Sequence, residues 1–174
     1  MNVKNKFDDD LSNFIQNKNK NKNVLDIACG NGDHSIFLAN KNWAVSSVDI
    51  KEQSFKNFKN IQYFKIDLEN NQQNFIKKPP FNVSYDLIII FKYLNIPLLK
   101  KLPNYLKNDG IIICETFMEG NEKFGRPKNP DFLLKKNELK EIFANDLKLI
   151  LFKQGKKVDL GKKSMMQKAV FKKS

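Results

Sequence analysis

The apolar residues of this 174-residue chain fall into short runs that are separated by stretches of helix-like spacing. Seven of these runs have the length and the β-branched or aromatic content of strands. The predicted strands are Val24–Ala28, Trp43–Ile50, Ile61–Leu68, Tyr85–Leu94, Ile111–Phe117, Leu147–Gln154 and Ser164–Lys173. The predicted helices cover residues 8–17, Gly32–Asn40, Lys51–Asn60, Ile96–Lys107 and Lys136–Asn145, and Asn70–Phe81 is predicted as a loop or weak helix.

Strands and helices alternate along most of the chain, and the last two predicted strands follow each other directly. Tyr85–Leu94 begins with a run that is apolar on both faces, as expected of a central strand in a parallel sheet. Alternation of this kind predicts an α/β fold, a doubly wound Rossmann-like sheet with an antiparallel strand at its end. We expect one domain over residues 1–174, with an N-terminal helix and connector over residues 1–22 and an irregular segment at Met118–Leu134.

The chain is strongly basic, with 31 Lys and Arg against 19 Asp and Glu, a net charge of +12. Such a charge is typical of nucleic-acid-binding proteins. However, Arg126 is the only arginine, and the lysines are spread along the chain among asparagines. A general lysine and asparagine bias explains this pattern as well, so a nucleic-acid partner is not favoured.

The cysteine and histidine content and the lengths of the apolar runs exclude further classes of site. Two cysteines and one histidine rule out a Cys/His zinc site and argue against a disulfide framework, and no metal site is predicted. The N-terminus is polar, and the longest wholly apolar run, Leu87–Phe91, is far too short to span a bilayer. We therefore expect a soluble cytoplasmic protein with no membrane partner.

The first strand runs into a glycine turn, Gly30–Asn31–Gly32, and then directly into a helix. Dehydrogenases, flavin enzymes and methyltransferases share such turns, which lie where ligands bind to doubly wound sheets. The dinucleotide fingerprint needs a third glycine, but that position is Ser35. Asp33 in the first turn of the helix would repel a pyrophosphate and suit a ligand with an amino group and a sulfonium. NAD is therefore disfavoured.

The stretch VLDIACGNG (Val24–Gly32) resembles motif I of the class I S-adenosylmethionine-dependent methyltransferases, V-L-D-x-G-C-G-x-G. Ala28 replaces the first glycine of the motif, a small-for-small exchange that we expect to be harmless. The resemblance covers about residues 20–174. It implies the strand order 3-2-1-4-5-7-6 with strand 7 antiparallel, S-adenosyl-L-methionine as cofactor and S-adenosyl-L-homocysteine as product.

The same resemblance implies roles for several acids. Asp49, at the end of the second strand, matches the acid that binds the ribose hydroxyls. Asp67 and Leu68 match residues that contact the adenine. Asp26 matches an acid near the backbone of the glycine turn or near the amino group of the methionine moiety. The other cofactor contacts that we predict are Ala28, Gly30, Asn31, Gly32, His34, Ile50 and Phe91.

A finer resemblance lies in ETFMEGNEKFGRPKNPDFLL (Glu115–Leu134) together with the preceding IIIFKYLNIPLL. It is similar to the tellurite-resistance-like group of small bacterial methyltransferases. The natural substrates of that group are poorly defined, so the acceptor stays open.

Methyl transfer needs an aligned nucleophile and the exclusion of water, and only a hydroxyl or amine acceptor also needs a base. The ends of the fourth and fifth strands should face the methyl group. We predict Lys92, Tyr93 and Glu115 as catalytic residues and Thr116 as a substrate-binding residue. Cys114 is not expected to be a nucleophile, because the Pro-Cys of cytosine C5 methyltransferases is absent.

The irregular segment Met118–Leu134 is longer than ordinary connections, and such segments are often functional. We predict a lid over the acceptor pocket, with Arg126 binding an anionic acceptor. In the alternative, it is a surface loop in which Arg126 pairs with Glu119 or Glu122.

Three functions are compatible with these patterns. The chain has no appended domain to read RNA or DNA, which favours a methyltransferase for a small-molecule acceptor. The alternatives are an RNA or protein methyltransferase, favoured only by the net charge, and an S-adenosylmethionine-binding module without catalysis. The sequence does not predict the oligomeric state.

Overall fold

The computed structural model describes residues 9–15, 22–55, 57–70 and 84–174. Within these ranges the strands are β1 (Asn23–Ile27), β2 (Ala44–Asp49), β3 (Ile61–Lys65), β4 (Tyr85–Phe91), β5 (Leu106–Phe117), β6 (Lys148–Asp159) and β7 (Lys162–Lys172). The α-helices are α1 (Asp9–Ser12), α2 (Asp33–Asn40), α3 (Ile96–Leu99) and α4 (Glu138–Phe143). Short 3-10 helices cover Leu102–Tyr105, Asn121–Lys123 and Pro130–Phe132.

All seven strands join one sheet in the order β3-β2-β1-β4-β5-β7-β6. The pairs among β3, β2, β1, β4 and β5 are parallel, and β7 is antiparallel to both β5 and β6. The predicted α/β fold class and strand order are therefore confirmed. The carboxyl ends of β1, β2, β4 and β5 meet at one edge of the sheet, where ligands bind in folds of this kind.

Alternate residues of the central strands supply two hydrophobic layers, one on each face of the sheet. In β4, Ile88 and Ile90 belong to the layer that includes residues of α3 and α4. Leu87 and Ile89 belong to the opposite layer, which includes residues of α1 and α2. Because a strand points successive side chains to opposite faces, one continuous apolar run serves both layers. This is why β4 contains no polar residue between Leu87 and Phe91.

The helix predicted at Ile96–Lys107 is wrong in its second half. Helix α3 ends at Leu99, a 3-10 helix follows at Leu102–Tyr105, and β5 already begins at Leu106. Pro103 lacks the amide hydrogen that a continuing helix needs, which explains the break. The polar stretch 108–110, predicted to end that helix, lies instead in an irregular part of β5, where the register shifts.

Other predicted elements differ in extent. Residues 51–55 and 57–60 form bends and turns instead of the predicted helix, and Phe55 is buried there. Tertiary contact outweighs a weak helical propensity in such a short segment. The helix predicted at Lys136–Asn145 is reduced to α4. Of the predicted N-terminal helix, the described residues 9–15 contain α1, which ends at Ser12. Of the loop or weak helix at Asn70–Phe81, all but Asn70 lies outside the described residues, as do connector residues 18–21.

The hairpin of β6 and β7 is much longer than predicted. The stretch GKKVDLGKK (residues 155–163), predicted as a turn, continues both strands, and only Leu160 and Gly161 lie between them. Both turn residues have left-handed backbone, with φ of +47° and +77°. Two-residue turns of this kind favour Asn or Gly at their first position, which is Leu160 here. Because lysines also surround Leu160, the sequence pattern did not indicate a strand pair in this stretch.

Substituting Leu160 by Asn should stabilise the protein. Leu160 is 93% exposed and contributes little packing, and Asn adopts the left-handed conformation more readily than Leu. We expect the free energy of unfolding to rise by about 0.5–1 kcal/mol in urea titrations. Leu149→Asn is the control, because Leu149 is an exposed leucine in the adjoining strand β6 and has no left-handed backbone. If both substitutions reduce stability equally, the turn is not strained.

Candidate functional site

The turn after β1, here called the elbow (residues 28–32), is built from left-handed backbone. Ala28, Gly30 and Gly32 have φ of +54°, +55° and +76°. A Cβ at Gly32 would lie 2.2 Å from the ring of Phe55, whereas a Cβ at Gly30 would meet nothing within 4 Å. Gly32 is therefore required for packing, and Gly30 keeps an open surface beside the turn.

The alanine at position 28, where motif I has a glycine, is not harmless to the backbone. A left-handed conformation costs a residue with a side chain roughly 1–2 kcal/mol. The expectation from the sequence considered only the size of the side chain, whereas position 28 also requires a left-handed backbone conformation. Strain of this kind is typical of functional sites.

Two serines and the carboxyl group of Asp26 form a buried chain of hydrogen bonds beneath the elbow. Ser35 Oγ donates to Asp26 Oδ2 at 2.6 Å and lies 2.7 Å from Ser47 Oγ. These residues belong to α2, β1 and β2, so the chain ties three elements together. Ser35, which occupies the position of the missing third glycine, thus has a structural role of its own. Burial raises the pKa of Asp26 to about 7, against the opposing effect of the Ser35 hydrogen bond.

Asp49 holds the elbow from the neighbouring strand. Its Oδ2 accepts from the backbone N–H of Gly30 at 2.9 Å, and its Oδ1 accepts from that of Lys51 at 3.1 Å. Beside it, Ile50 is 53% exposed, an unusual exposure for isoleucine. The end of β2 therefore presents a carboxylate and an apolar surface next to the elbow.

Asp67 and Leu68 follow β3 along the same edge. Asp67 Oδ1 accepts from the backbone N–H groups of Glu69 and Asn70, and these bonds lower the pKa of the carboxyl group. The side chain of Leu68 is buried in the hydrophobic layer, so any contact with a ligand at this position would involve its backbone.

A cavity of about 930 Å³, here called the elbow cavity, extends from the elbow to the β6–β7 hairpin and to the segment 118–134. Nine of the predicted site residues line it: Asp26, Ala28, Gly30, Asn31, His34, Phe91, Lys92, Glu115 and Arg126. The ring of His34 stacks on that of Phe91 with centroids 4.2 Å apart, which forms part of the wall. The remaining predicted residues do not line this cavity: Gly32, Asp49, Ile50, Asp67, Leu68, Tyr93 and Thr116.

Four predicted catalytic and acceptor-binding residues lie just after β4 or near the end of β5: Lys92, Tyr93, Glu115 and Thr116. Only Lys92 and Glu115 line the cavity. Tyr93 donates from its hydroxyl to Glu69 Oε1 at 2.7 Å, and burial, with a smaller effect of Glu69, raises its pKa. Thr116 is in register with Gln167, whose side-chain oxygen accepts from Leu139 N in α4. Tyr93 and Thr116 are thus directed away from the cavity that Lys92 and Glu115 line.

Glu115 has a partner that the sequence did not indicate. Its buried carboxylate accepts from Lys157 Nζ at 2.5 Å, across 42 positions of sequence. The sequence predicts a turn at Lys157, and only the extended hairpin lets this residue of β6 reach across β7 to the end of β5. No local pattern of the hairpin indicates this contact.

The segment 118–134 is closed at its base and faces the cavity at its tip. Met118 pairs with Leu134, and Glu119 N donates to Leu134 O at 2.9 Å. The buried Asn121 accepts from Met165 N at 3.1 Å, which joins the segment to β7. Phe124, Gly125 and Arg126 at the tip line the elbow cavity.

The two acids proposed as alternative partners of Arg126 are engaged with backbone. Glu119 Oε1 accepts from Lys136 N, and Glu122 Oε2 accepts from Gly120 N. In the described residues neither of them forms an ion pair with Arg126. Cys114 is fully buried in the sheet, and burial raises the pKa of its thiol to about 12, which fits the expectation that it is not a nucleophile.

Comparisons with known proteins agree with this architecture. A family model described as methyltransferase domain matches residues 18–162. The chain therefore belongs to this family of methyltransferase domains, and its resemblance to the class I methyltransferases is confirmed.

Two of the similar proteins are longer than this chain. An uncharacterized protein of Schizosaccharomyces pombe is 24% identical, over 73% of this chain and 50% of that protein. The crystal structure of TehB from Haemophilus influenzae has a TM-score of 0.71 at 22% identity, over 95% of this chain and 60% of that one. The chain thus spans half to three fifths of these two proteins.

A second similar structure contains ligands. It is a Burkholderia thailandensis 1,6-didemethyltoxoflavin-N1-methyltransferase with bound 1,6-didemethyltoxoflavin and S-adenosylhomocysteine. Its TM-score is 0.64 at 13% identity, over 89% of this chain and 72% of that one. These likenesses establish a common fold. In the described part of the chain, no helix combines the length and apolarity that crossing a membrane requires.

The raised pKa of Asp26 predicts a pH dependence of stability. The folded protein keeps this carboxyl protonated up to about pH 7, whereas the unfolded chain ionises near its ordinary value of 3.8. The folded state therefore binds the additional proton, and the free energy of unfolding should fall as pH rises through this window. Urea titrations between about pH 5 and about pH 7 should show a flatter dependence for Asp26→Asn.

Asp67→Asn is the control for this experiment. Hydrogen bonds lower the pKa of Asp67, so its contribution to stability changes only at more acidic pH. An undiminished slope in Asp26→Asn, or an equal flattening in Asp67→Asn, would show that another group takes up the proton.

Proposed function

We propose that this chain is an S-adenosylmethionine-dependent methyltransferase for a small-molecule acceptor. The observation that carries the proposal is the elbow cavity, which begins at the motif I elbow and continues to Glu115 and Arg126. One end suits a cofactor and the other an acceptor. Its volume lies within the range of pockets for small ligands, roughly 300–1,000 Å³. The Burkholderia methyltransferase, with its bound small molecule and S-adenosylhomocysteine, supports this proposal.

The residues at the elbow fit the cofactor. The open surface beside Gly30 would be filled by any side chain, and it leaves room for a ligand to approach the backbone. Asp49 can accept from the ribose hydroxyls with its remaining lone pairs, and Ile50 offers an apolar surface to the adenine. Asp26, when ionised, can attract the amino group of the methionine moiety. Asp67 can accept from the adenine amine.

The bound cofactor would supply a methyl group that its sulfonium already activates. The chain must then align the acceptor and exclude water. Phe91 and His34 provide an apolar wall, and Phe124 covers the opposite side. Glu115 can take a proton from a hydroxyl or amine acceptor, while Lys157 stabilises its carboxylate. Lys92 lies beside it, and its backbone N–H donates to Glu115 O.

Two of the predicted roles change in this proposal. Tyr93 and Thr116 are left out of the acceptor site, because neither lines the elbow cavity. The Tyr93 hydroxyl donates to Glu69, and Thr116 is in register with Gln167, whose side chain contacts α4. Lys92 and Glu115 are retained, and Arg126 is proposed to bind an anionic group of the acceptor. The segment 118–134 is proposed as the cover of this site.

The cofactor assignment predicts that Asp49→Asn weakens binding of S-adenosylhomocysteine. Asn keeps an oxygen for the Gly30 N–H, so the elbow should remain folded, but it lacks the second acceptor and the charge. We expect the affinity measured by calorimetry to fall about 10- to 100-fold.

Glu52→Gln is the matched control, since Glu52 is an exposed acid close to Asp49 in sequence that pairs with Lys65. It should leave the affinity unchanged. No binding of S-adenosylhomocysteine to the native chain would refute the proposed function. Binding without turnover over a broad panel of small acceptors would favour the module without catalysis.

The acceptor assignment predicts a different result for Arg126→Ala. Because Arg126 lies at the acceptor end of the cavity, its loss should raise KM for an anionic acceptor about tenfold. The affinity for S-adenosylhomocysteine should not change. Lys128→Ala removes a nearby exposed cation that does not line the cavity and is the control. Equal losses of cofactor affinity and acceptor KM would contradict this role.

A further inference from the structure

A second cavity, of about 450 Å³, opens on the β6–β7 hairpin beside the elbow cavity. We call it the lysine cavity, because Lys153, Lys156, Lys157 and Lys168 line it together with a single acid, Glu115. Glu115, Lys157 and Met166 line both cavities. The Glu115–Lys157 ion pair thus stands at the boundary between them. Nothing in the methyl-transfer site requires this concentration of positive charge.

The arrangement of the charges is unusual for a sheet. Glu115, Lys168 and Lys153 are in register across β5, β7 and β6, so their side chains share one face. Lys168 and Lys153 are therefore like charges at directly opposed positions, which is unfavourable in a strand pair. Lys168 is only 8% exposed. Like charges at opposed positions depart from the usual rule of strand pairing, and such departures are expected at functional positions.

The backbone leaves space between the lysines. Gly155 lies between Lys153 and Lys157 on the same strand and has a φ of +127°. A Cβ at this position would meet nothing within 4 Å. Glycine within a strand often marks the close approach of a ligand. The lining of the cavity therefore combines open backbone at Gly155 with four lysine residues.

The charge balance indicates the class of ligand. Four ammonium groups and one carboxylate give a formal charge of +3, and the carboxylate already accepts from Lys157. A multivalent anion would relieve the repulsion among the lysines, and lysine binds phosphate as a compact point charge. A concave space of this size suits a small phosphorylated molecule.

We propose that the lysine cavity binds a phosphate or diphosphate group. Given the proposed function, this group belongs to the acceptor, and the reacting atom reaches the elbow cavity past Glu115. The negative charge of Glu115 then keeps the phosphate away from the boundary and so orients the acceptor with its reacting end toward the methyl group. Arg126 lines only the elbow cavity and is not part of this phosphate site.

Inorganic pyrophosphate is the probe that tests the site without an acceptor. Calorimetry at about 0.15 M salt, where exposed charges are screened, should detect its binding to the native chain. Lys153→Gln with Lys168→Met should reduce the pyrophosphate affinity at least tenfold. The affinity for S-adenosylhomocysteine should stay the same, because neither lysine lines the elbow cavity. The single variant Lys153→Gln, at an exposed position, should reduce the affinity severalfold and avoids any loss of folding from the buried Lys168.

Lys148→Gln, on the same strand outside the cavity, is the control and should bind pyrophosphate like the native chain. No binding of pyrophosphate, or an equal loss in the control, would overturn the proposal. Tighter binding of a single-stranded RNA oligonucleotide than of pyrophosphate would also overturn it, in favour of a nucleic-acid surface. These outcomes are separate from a failure of the proposed function, which would appear as a loss of S-adenosylhomocysteine binding in the native chain.

Discussion

The hydrogen bond from Ser35 to the buried carboxyl of Asp26 fixes the geometry on which the candidate site depends. It joins the first helix after the elbow to the central strand, and Ser47 extends the connection to the second strand. With α2, β1 and β2 held in this way, Asp49 reaches the backbone of Gly30 from the neighbouring strand. A buried polar chain of this kind specifies one arrangement of the elements, because each group must find its partner.

The energetic cost of the site is concentrated at the carboxyl edge of the sheet. Ala28 and Lys92 both have left-handed backbone where β1 and β4 end, and both line the elbow cavity. Hydrophobic layers on both faces of β4 stabilise the sheet that holds these residues. The backbone N–H of Lys92 continues the pairing with β5, because it donates to the carbonyl of Glu115. Packing thus offsets the strain that shapes the cavity.

The sequence predicted the sheet and the elbow well, because both depend on local patterns. Continuous apolar runs identify buried strands, and the positions of Gly30, Asp49 and Asp67 carry the resemblance to a family. The acceptor end could not be predicted in the same way. Lys157 meets Glu115 only through the pairing of β5, β7 and β6, and the lysine pairs on either side of Leu160 resemble a solvated turn. Tyr93 follows an apolar strand as Lys92 does, but its direction depends on a contact with Glu69 that no local pattern contains.

The position of β7 has a consequence for the order of assembly. It is the last of the seven strands in sequence, yet it lies inside the sheet between β5 and β6. Met165 on this strand holds Met118 and Asn121, and Met166 lines both cavities. The parallel pairs among β3, β2, β1, β4 and β5 do not involve β7, whereas the part of the elbow cavity proposed for the acceptor includes Met166 of β7. We therefore expect the pocket to be completed after the elbow during folding, because it needs the last strand in sequence.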